Sequence, residues 1–97
     1  MSEASDASYG KYYVYVLLSL EDGGWYIGFT TNLRERLVQH AKGASLATRF
    51  RRPFKLIFYE YFIDKADAKN REKYLKSGFG RKQLKEALKT TMLGIGD

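Results

Sequence analysis

Three runs of β-branched and aromatic residues restrict the fold of this chain more than any other feature of its sequence. They cover residues 12–19, 25–29 and 54–62, and their composition is typical of β-strands. A turn-forming segment at residues 21–24, Glu-Asp-Gly-Gly, separates the first two runs and predicts a hairpin. The third run follows the only proline, Pro53, and proline is tolerated at the start of a strand. The sequence therefore predicts a sheet of three strands.

Helical signals occupy the intervals between and after these strands. Residues 33–42 lie between Asn32, a preferred N-cap residue, and Gly43, a preferred C-cap residue. A second helix is predicted from about residue 65 to residue 77, and a third, shorter helix over about residues 81–89. The order β-β-α-β-α-α predicts an α+β fold in which a small antiparallel or mixed sheet is flanked by helices.

The ends of the chain lack these patterns, so residues 1–8 and 94–97 are predicted to be disordered tails of a single domain at residues 9–93. The 97 residues leave room for one small domain only. The chain has no cysteine and one histidine, which excludes disulfides, thiolate zinc sites and cysteine nucleophiles. Any bound metal must therefore rest on oxygen ligands.

No run of apolar residues is long enough to cross a bilayer, and the N-terminus lacks the order of a signal peptide. We therefore expect a soluble, intracellular protein of the cytoplasm, with no membrane partner.

The charge of the chain favours a polyanionic partner. Lys and Arg number 17 and Asp and Glu 11, giving a net charge of +6, and three of the acidic residues lie in the predicted tails. Residues 42–55 and 73–85 contain basic but no acidic residues, which indicates an electrostatic footprint for nucleic acid. A solvated basic surface is the alternative explanation. The candidate nucleic-acid-binding residues are Arg34, Arg49, Arg51, Arg52, Lys73, Lys76, Arg81 and Lys82.

Charged or polar residues interrupt the apolar faces of two predicted helices. At about 100° per residue, Arg36 and His40 lie on the inward edge of the first helix. Glu72 shares a face of the second helix with Ala68 and Leu75, so its carboxylate requires a partner. Glu72 is explained either by an ion pair, with Arg36 or Arg71, or by ligation of a hard cation such as Mg²⁺ or Mn²⁺.

Two tyrosines occupy the predicted hairpin. Tyr15 lies opposite the face that carries Val14 and Val16, because side chains alternate along a strand. Alternation does not determine whether Tyr26 of the second strand shares the face of Tyr15. Each tyrosine taken alone is explained by packing.

Taken together, the spacing of these residues resembles the GIY-YIG nuclease superfamily. The resemblance rests on Tyr-Val-Tyr at residues 13–15, Tyr-Ile-Gly at residues 26–28, the helix with Arg36 and His40, and the downstream Glu72. It extends from about residue 12 to residue 88. The chain is most similar to the small single-domain, YhbQ-like members, and more distantly to the N-terminal nuclease domain of UvrC and to certain homing endonucleases.

This resemblance implies a three-stranded antiparallel sheet and metal-dependent hydrolysis of phosphodiester bonds in DNA, with RNA as the other substrate to consider. The cleavage would be structure-selective or nonspecific, and a role in DNA repair is in keeping with the family. Tyr15, Tyr26, Arg36 and His40 correspond to catalytic residues, and Glu72 to the ligand of one Mg²⁺ or Mn²⁺ ion. Arg36 and the metal are expected to lower the cost of ionising Tyr15.

The chain departs from the family pattern at three positions. Tyr13 replaces the first glycine, Phe29 stands where the UvrC-like branch has lysine, and Gln83 and Leu84 lie where several members have asparagine. These departures favour a second interpretation, in which the chain is a catalytically weak or inactive nucleic-acid-binding module. A protein-interaction module is a third interpretation. A protein partner or a homodimer is compatible with all three interpretations.

Overall fold

A computed structural model describes residues 10–95, and the predicted tail at residues 1–8 lies outside that range. Both strand pairs are antiparallel and the strand order is β2-β1-β3, so the predicted α+β fold is confirmed. The elements are β1 (Tyr12–Ser19), β2 (Trp25–Thr30), α1 (Leu33–Lys42), a short 3-10 helix (Arg49–Arg51), β3 (Phe54–Phe62), α2 (Lys65–Lys76), α3 (Gly78–Ala87) and α4 (Lys89–Ile95).

Capping residues account for the bounds of α1. The side chain of Asn32 accepts a hydrogen bond from the backbone N–H of Glu35 at 3.0 Å, which satisfies one of the unpaired donors of the first turn. Gly43 ends the helix with φ at +77°, a conformation that glycine adopts without steric cost. Both bounds agree with the prediction.

The last two helices differ from the prediction. The hydroxyl of Ser77 accepts a hydrogen bond from the N–H of Gly80 at 3.1 Å, so α3 begins at Gly78 rather than near residue 81. A further helix, α4, follows and continues through Ile95. The expectation of a disordered tail is therefore wrong for residues 94 and 95, and residues 96–97 lie outside the described range.

Helices lie on both faces of the sheet. On one face, called the core face here, β1 and β2 pack against α2 and α3 and form the apolar core. The opposite face, called the site face, carries Tyr15 and Leu17 and receives α1. Within residues 10–95, none of the helices has the length and apolar character required to cross a lipid bilayer. The core residues are Val14, Val16, Leu18, Trp25, Ile27, Ala68, Leu75, Leu84 and Leu88.

Candidate active site

The register of the hairpin brings Tyr15 and Tyr26 to the same face. Tyr15 pairs with Gly28, and Tyr26 pairs with Leu17, so all four residues lie on the site face. The two phenol rings are 6.3 Å apart between centroids. A Cβ atom on Gly28 would lie 2.5 Å from the hydroxyl oxygen of Tyr15, which is far inside van der Waals contact. Glycine at this position therefore makes room for the phenol.

His40 reaches this pair of tyrosines from the last turn of α1. Its Nε2 lies 2.8 Å from the hydroxyl oxygen of Tyr15, and its Nδ1 lies 2.8 Å from Oγ1 of Thr48. The side chains of all three residues are buried. The imidazole also contacts the Tyr26 ring edge-on, at 5.3 Å between centroids. The site face thus contains a buried chain of polar contacts from Tyr15 through His40 to Thr48.

Of the three residues in this row of polar contacts, Thr48 was not identified from the sequence. It lies in the irregular segment before the 3-10 helix, where no periodicity indicates which side chains are buried. The hydroxyl of Ser19 donates a hydrogen bond to the carbonyl of Arg51 at 2.6 Å and so connects the 3-10 helix, which directly follows Thr48, to the end of β1. The position of Thr48 therefore depends on contacts distant in sequence.

Arg36 lies one helical turn before His40. Its Nη1 donates to Oε1 of Gln39 at 2.8 Å, and the neighbouring Tyr15 hydroxyl raises the pKa of the guanidinium. With Thr30 and Asn32, the side chain lines a shallow groove of about 340 Å³. Arg36 therefore lies between the buried Tyr15 and an open groove on the surface.

Burial controls the protonation of the two central groups. It raises the pKa of Tyr15 above the ordinary value of 10.0, and Arg36 opposes this rise without cancelling it. Arg36 therefore lowers the cost of ionising Tyr15, as expected, but burial has the larger effect on the pKa of Tyr15. Burial, assisted by the charge of Arg36, lowers the pKa of His40. Near neutral pH, a neutral phenol consequently faces a neutral imidazole.

Glu72 extends from α2 and is held by two lysines. Its carboxylate lies 3.3 Å from Nζ of Lys69 and 2.9 Å from Nζ of Lys76, and its side chain is 13% exposed. The predicted ion pair is therefore real, but the predicted partners are wrong. Arg71 instead binds Glu60 of β3 at 2.8 Å.

Glu72 is connected to the edge strand β2 through Lys69. Lys69, which binds the carboxylate, also places its ammonium 4.5 Å from the ring centroid of Phe29. A cation thus lies beside position 29, although the residue there is not the lysine of the UvrC-like branch. The negative charge of Glu72 extends as far as Tyr15, where it adds slightly to the rise in pKa.

A divalent cation at this site would depend on Glu72. Across residues 10–95, no group of three or more His, Cys, Asp or Glu side chains is arranged to hold a metal ion. Mg²⁺ commonly binds to proteins through one or two carboxylates together with water and substrate phosphates. A single, partly accessible carboxylate whose charge acts on Tyr15 fits this mode of binding, provided that the lysine contacts are exchanged for the ion.

The candidate nucleic-acid-binding residues belong to several separate elements of the fold. Several arginines of the first basic stretch have intramolecular partners: Arg49 donates to the carbonyl of Gly43, Arg52 to that of Ala41, and Arg51 to the carboxylate of Asp22. Arg34 is exposed on α1. The residues of the second stretch, Lys73, Lys76, Arg81 and Lys82, lie on α2 and α3, in the helical layer on the core face.

The sequence and the fold are similar to those of known proteins. Residues 11–85 match the family of GIY-YIG catalytic domains. A UPF0213 protein from Lactiplantibacillus plantarum is 41% identical over 97 residues, covering 97% of this chain and 89% of that protein. Another from Streptococcus pneumoniae is 47% identical over 68 residues, covering 68% of this chain and 67% of that protein. The solution NMR structure of the UPF0213 protein BH0048 from Bacillus halodurans superimposes with a TM-score of 0.52 at 36% identity, covering 79% of this chain and 84% of that chain.

Proposed function

The chain belongs to the GIY-YIG catalytic domain family, a family of nucleases, and we propose that it is a metal-dependent nuclease that hydrolyses phosphodiester bonds in DNA. The observation that supports this proposal most strongly is the 2.8 Å contact between the hydroxyl of Tyr15 and Nε2 of His40, with Arg36 beside the phenol. This arrangement supplies a proton acceptor and a phosphate-binding cation within one site. Both lower the barrier to attack of water on a phosphodiester.

Arg36 binds the phosphate in this proposal. Its side chain lines the open groove and its guanidinium interacts with the Tyr15 hydroxyl. Guanidinium groups bind phosphate oxygens through two parallel hydrogen bonds. Because such a contact is made to the backbone of the nucleic acid, it carries no sequence information. Cleavage is therefore nonspecific in sequence unless other contacts select the substrate.

Tyr15 and His40 move the proton. As the water oxygen bonds to phosphorus, its proton passes to the oxygen of Tyr15, and the phenol proton passes to Nε2 of His40. The P–O bond to the leaving oxygen breaks, and that oxygen takes a proton from solvent. Tyr26 packs against both Tyr15 and His40 and keeps their rings in this arrangement.

The coupled transfer avoids a free phenolate. An ordinary phenol at pH 7 is ionised in roughly one molecule in a thousand, which corresponds to about 4 kcal/mol. Burial of Tyr15 increases this cost. His40 is neutral because burial lowers its pKa, so its lone pair at Nε2 is available to the phenol proton. In this tautomer the proton is on Nδ1 and is donated to Oγ1 of Thr48, 2.8 Å away.

Glu72 is the residue that would hold the Mg²⁺ or Mn²⁺ ion. Such an ion supplies Lewis-acid stabilisation of the charge that develops on the phosphoryl and leaving oxygens. Lys69 and Lys76, which bind Glu72 in this structure, would then be released to contact the nucleic-acid backbone.

Nicking of supercoiled plasmid DNA, with Mg²⁺ or Mn²⁺ and with a chelator, tests this function. We expect cleavage that the chelator abolishes, and a loss of about 10²- to 10⁴-fold in rate for Tyr15→Phe. Glu72→Ala should be inactive with either metal. Circular dichroism should show that both variants keep the fold.

Two matched variants serve as controls. Tyr74→Phe removes a tyrosine hydroxyl that binds Gln83, and Glu86→Ala removes a carboxylate that pairs with Lys89 on the protein surface; both should cleave as the unaltered chain does. Full activity of Tyr15→Phe or Glu72→Ala would contradict the assigned role of that residue. Tight binding of DNA without cleavage under any of these conditions would favour the nucleic-acid-binding module instead.

A further inference from the structure

Three tyrosines, two of them exposed and one half-buried, form a cluster on the site face, beyond the part that α1 covers. Tyr13 of β1 lies between Tyr59 and Tyr61 of β3, with ring centroids 6.3 Å and 5.5 Å apart. Tyr59 is 54% and Tyr61 49% exposed. We call Tyr13, Tyr59 and Tyr61 the tyrosine cluster. None of its members takes part in the mechanism above.

The tyrosine cluster is continuous with the proposed active site. Tyr59 is the register partner of Tyr15, and Tyr13 precedes Tyr15 by two residues, so the cluster and the site share one surface of the sheet. Tyr13 also occupies the position at which the family pattern has glycine. The cluster is therefore built in part from a residue in which this chain differs from that pattern.

The site-face side chains of β3 continue from the tyrosine cluster to a groove. Leu56 and Phe54 follow on the site face and line a groove of about 620 Å³ together with Arg49, Arg52 and His40. The two arginines give this end of the stripe positive charge. An extended ligand lying along β3 would thus contact aromatic rings at one end and cationic side chains at the other, with His40 beside its path.

We propose that the tyrosine cluster binds unpaired nucleobases by stacking, so that the site acts on single-stranded or locally unpaired DNA. This inference rests on the proposed nuclease function and adds the class of substrate. Aromatic side chains beside cationic groups are the usual means by which proteins hold single strands without reading their sequence. Tyrosine is suited to this role because its ring stacks while its hydroxyl remains in water.

The exposure of the rings favours unpaired bases over a duplex. The bases of a duplex are stacked on one another, so their faces become available to a protein only where the strand is single or the base is flipped out. A sheet surface with half-exposed rings, next to a groove that contains positive charge, matches a flexible single strand. In this arrangement the groove lined by Arg49 and Arg52 contacts the nucleic-acid backbone, and the tyrosine cluster stacks on the faces of the bases.

Binding measured in the presence of a chelator tests this proposal without cleavage. The ligands are a fluorescent single-stranded oligothymidylate and a blunt-ended duplex, at one fixed salt concentration because backbone contacts depend strongly on salt. Tyr59→Ala and Tyr61→Ala are each expected to weaken single-strand binding roughly 5- to 100-fold. Neither should weaken duplex binding more than about 2-fold.

Two further variants separate stacking from other effects. Tyr59→Phe keeps the ring and should bind the single strand within about 3-fold of the unaltered chain. Phe79→Ala removes an aromatic side chain that is 69% exposed on α3, on the other side of the sheet, and should leave binding unchanged. Circular dichroism and urea unfolding should show that the alanine variants are folded.

The outcomes separate this proposal from the nuclease function. Unchanged single-strand binding by both alanine variants, or an equal loss of duplex binding, overturns the role of the cluster whether or not the chain cleaves DNA. Absence of single-strand binding by the unaltered chain also overturns it and favours a protein partner for this face. Tyrosine-dependent single-strand binding without any metal-dependent cleavage contradicts the nuclease function but supports the cluster.

Discussion

On the core face of the sheet, Val14, Val16 and Leu18 pack against apolar side chains of α2 and α3. On the site face, the alternate residue Tyr15 is just as buried, but its hydroxyl contacts His40, which in turn contacts Thr48. Strand β1 therefore contributes side chains to both faces of the sheet. The core face is held by burial of apolar surface, whereas the site face depends on polar groups that each need a partner.

The two faces of the sheet therefore differ in their tolerance of substitution. An apolar core accepts other side chains of similar volume at small cost. A buried polar contact fails when one partner is removed or displaced, because the remaining group stays unsatisfied. We therefore expect substitutions on the core face to change stability alone, and substitutions on the site face to change activity and pH dependence as well.

The largest effect on stability is expected on the core face. Leu75 is 1% exposed, and Leu75→Ala should lower the free energy of unfolding by about 2–5 kcal/mol through lost burial and a residual cavity. Urea unfolding measures this change. Leu46→Ala makes the same substitution at a residue that is 78% exposed and should have almost no effect. Equal effects of the two substitutions would contradict the position of the core.

A smaller effect on stability, coupled to activity, is expected at Gly28. The added methyl group of Gly28→Ala collides with the hydroxyl of Tyr15, which should cost about 1–3 kcal/mol. Displacement of the phenol from His40 should also slow cleavage by about 100-fold. Gly78→Ala is the control, because a Cβ atom there has open space around it. Native stability and cleavage rate in Gly28→Ala would exclude the close approach of this glycine to Tyr15.

The smallest effect is the dependence of stability on pH. Burial lowers the pKa of His40 below its ordinary value of 6.5. Between these two pKa values the unfolded chain binds a proton at His40 and the folded chain does not. The free energy of unfolding should consequently fall as the pH drops below about 6.5, by at most about 1.4 kcal/mol per pH unit. Protonated His40 cannot accept the proton of Tyr15, so cleavage should fall as well.

Unfolding by urea at several values between about pH 7 and about pH 5 measures this slope. His40→Gln has no titrating group at this position, so its stability should vary less with pH over the same interval. Identical slopes in the two proteins would mean that His40 titrates normally in the folded chain.

Local sequence signals predicted most of the fold. Asn32 and Gly43 bound α1 because capping depends on neighbouring backbone groups, and the three strands follow from short runs of β-branched and aromatic residues. The start of α3 was misplaced because Ser77, its capping residue, was assigned to the end of the preceding helix. The helix at residues 89–95 was missed because its short sequence contains glycine and two threonines, which are weak helix formers.

The candidate site was predicted only in part. Arg36, His40 and Glu72 were identified because each interrupts an apolar helical face, and the spacing of the tyrosines matched the family. The partners of Glu72 and the contact of His40 with Thr48 were not predictable in this way. They depend on which side chains meet when distant segments pack.

Sequence alone determined the number of strands, the bounds of α1, the absence of cysteine chemistry and the set of residues that interrupt the apolar pattern, because each follows from composition or from contacts within a few residues. Only the tertiary structure placed Tyr15 and Tyr26 on one face, because strand register decides which alternating side chains meet. Likewise, only the structure shows that Tyr15 is buried and that its pKa lies above the ordinary value. Burial is a property of the packed chain, and here it outweighs the single charge of Arg36.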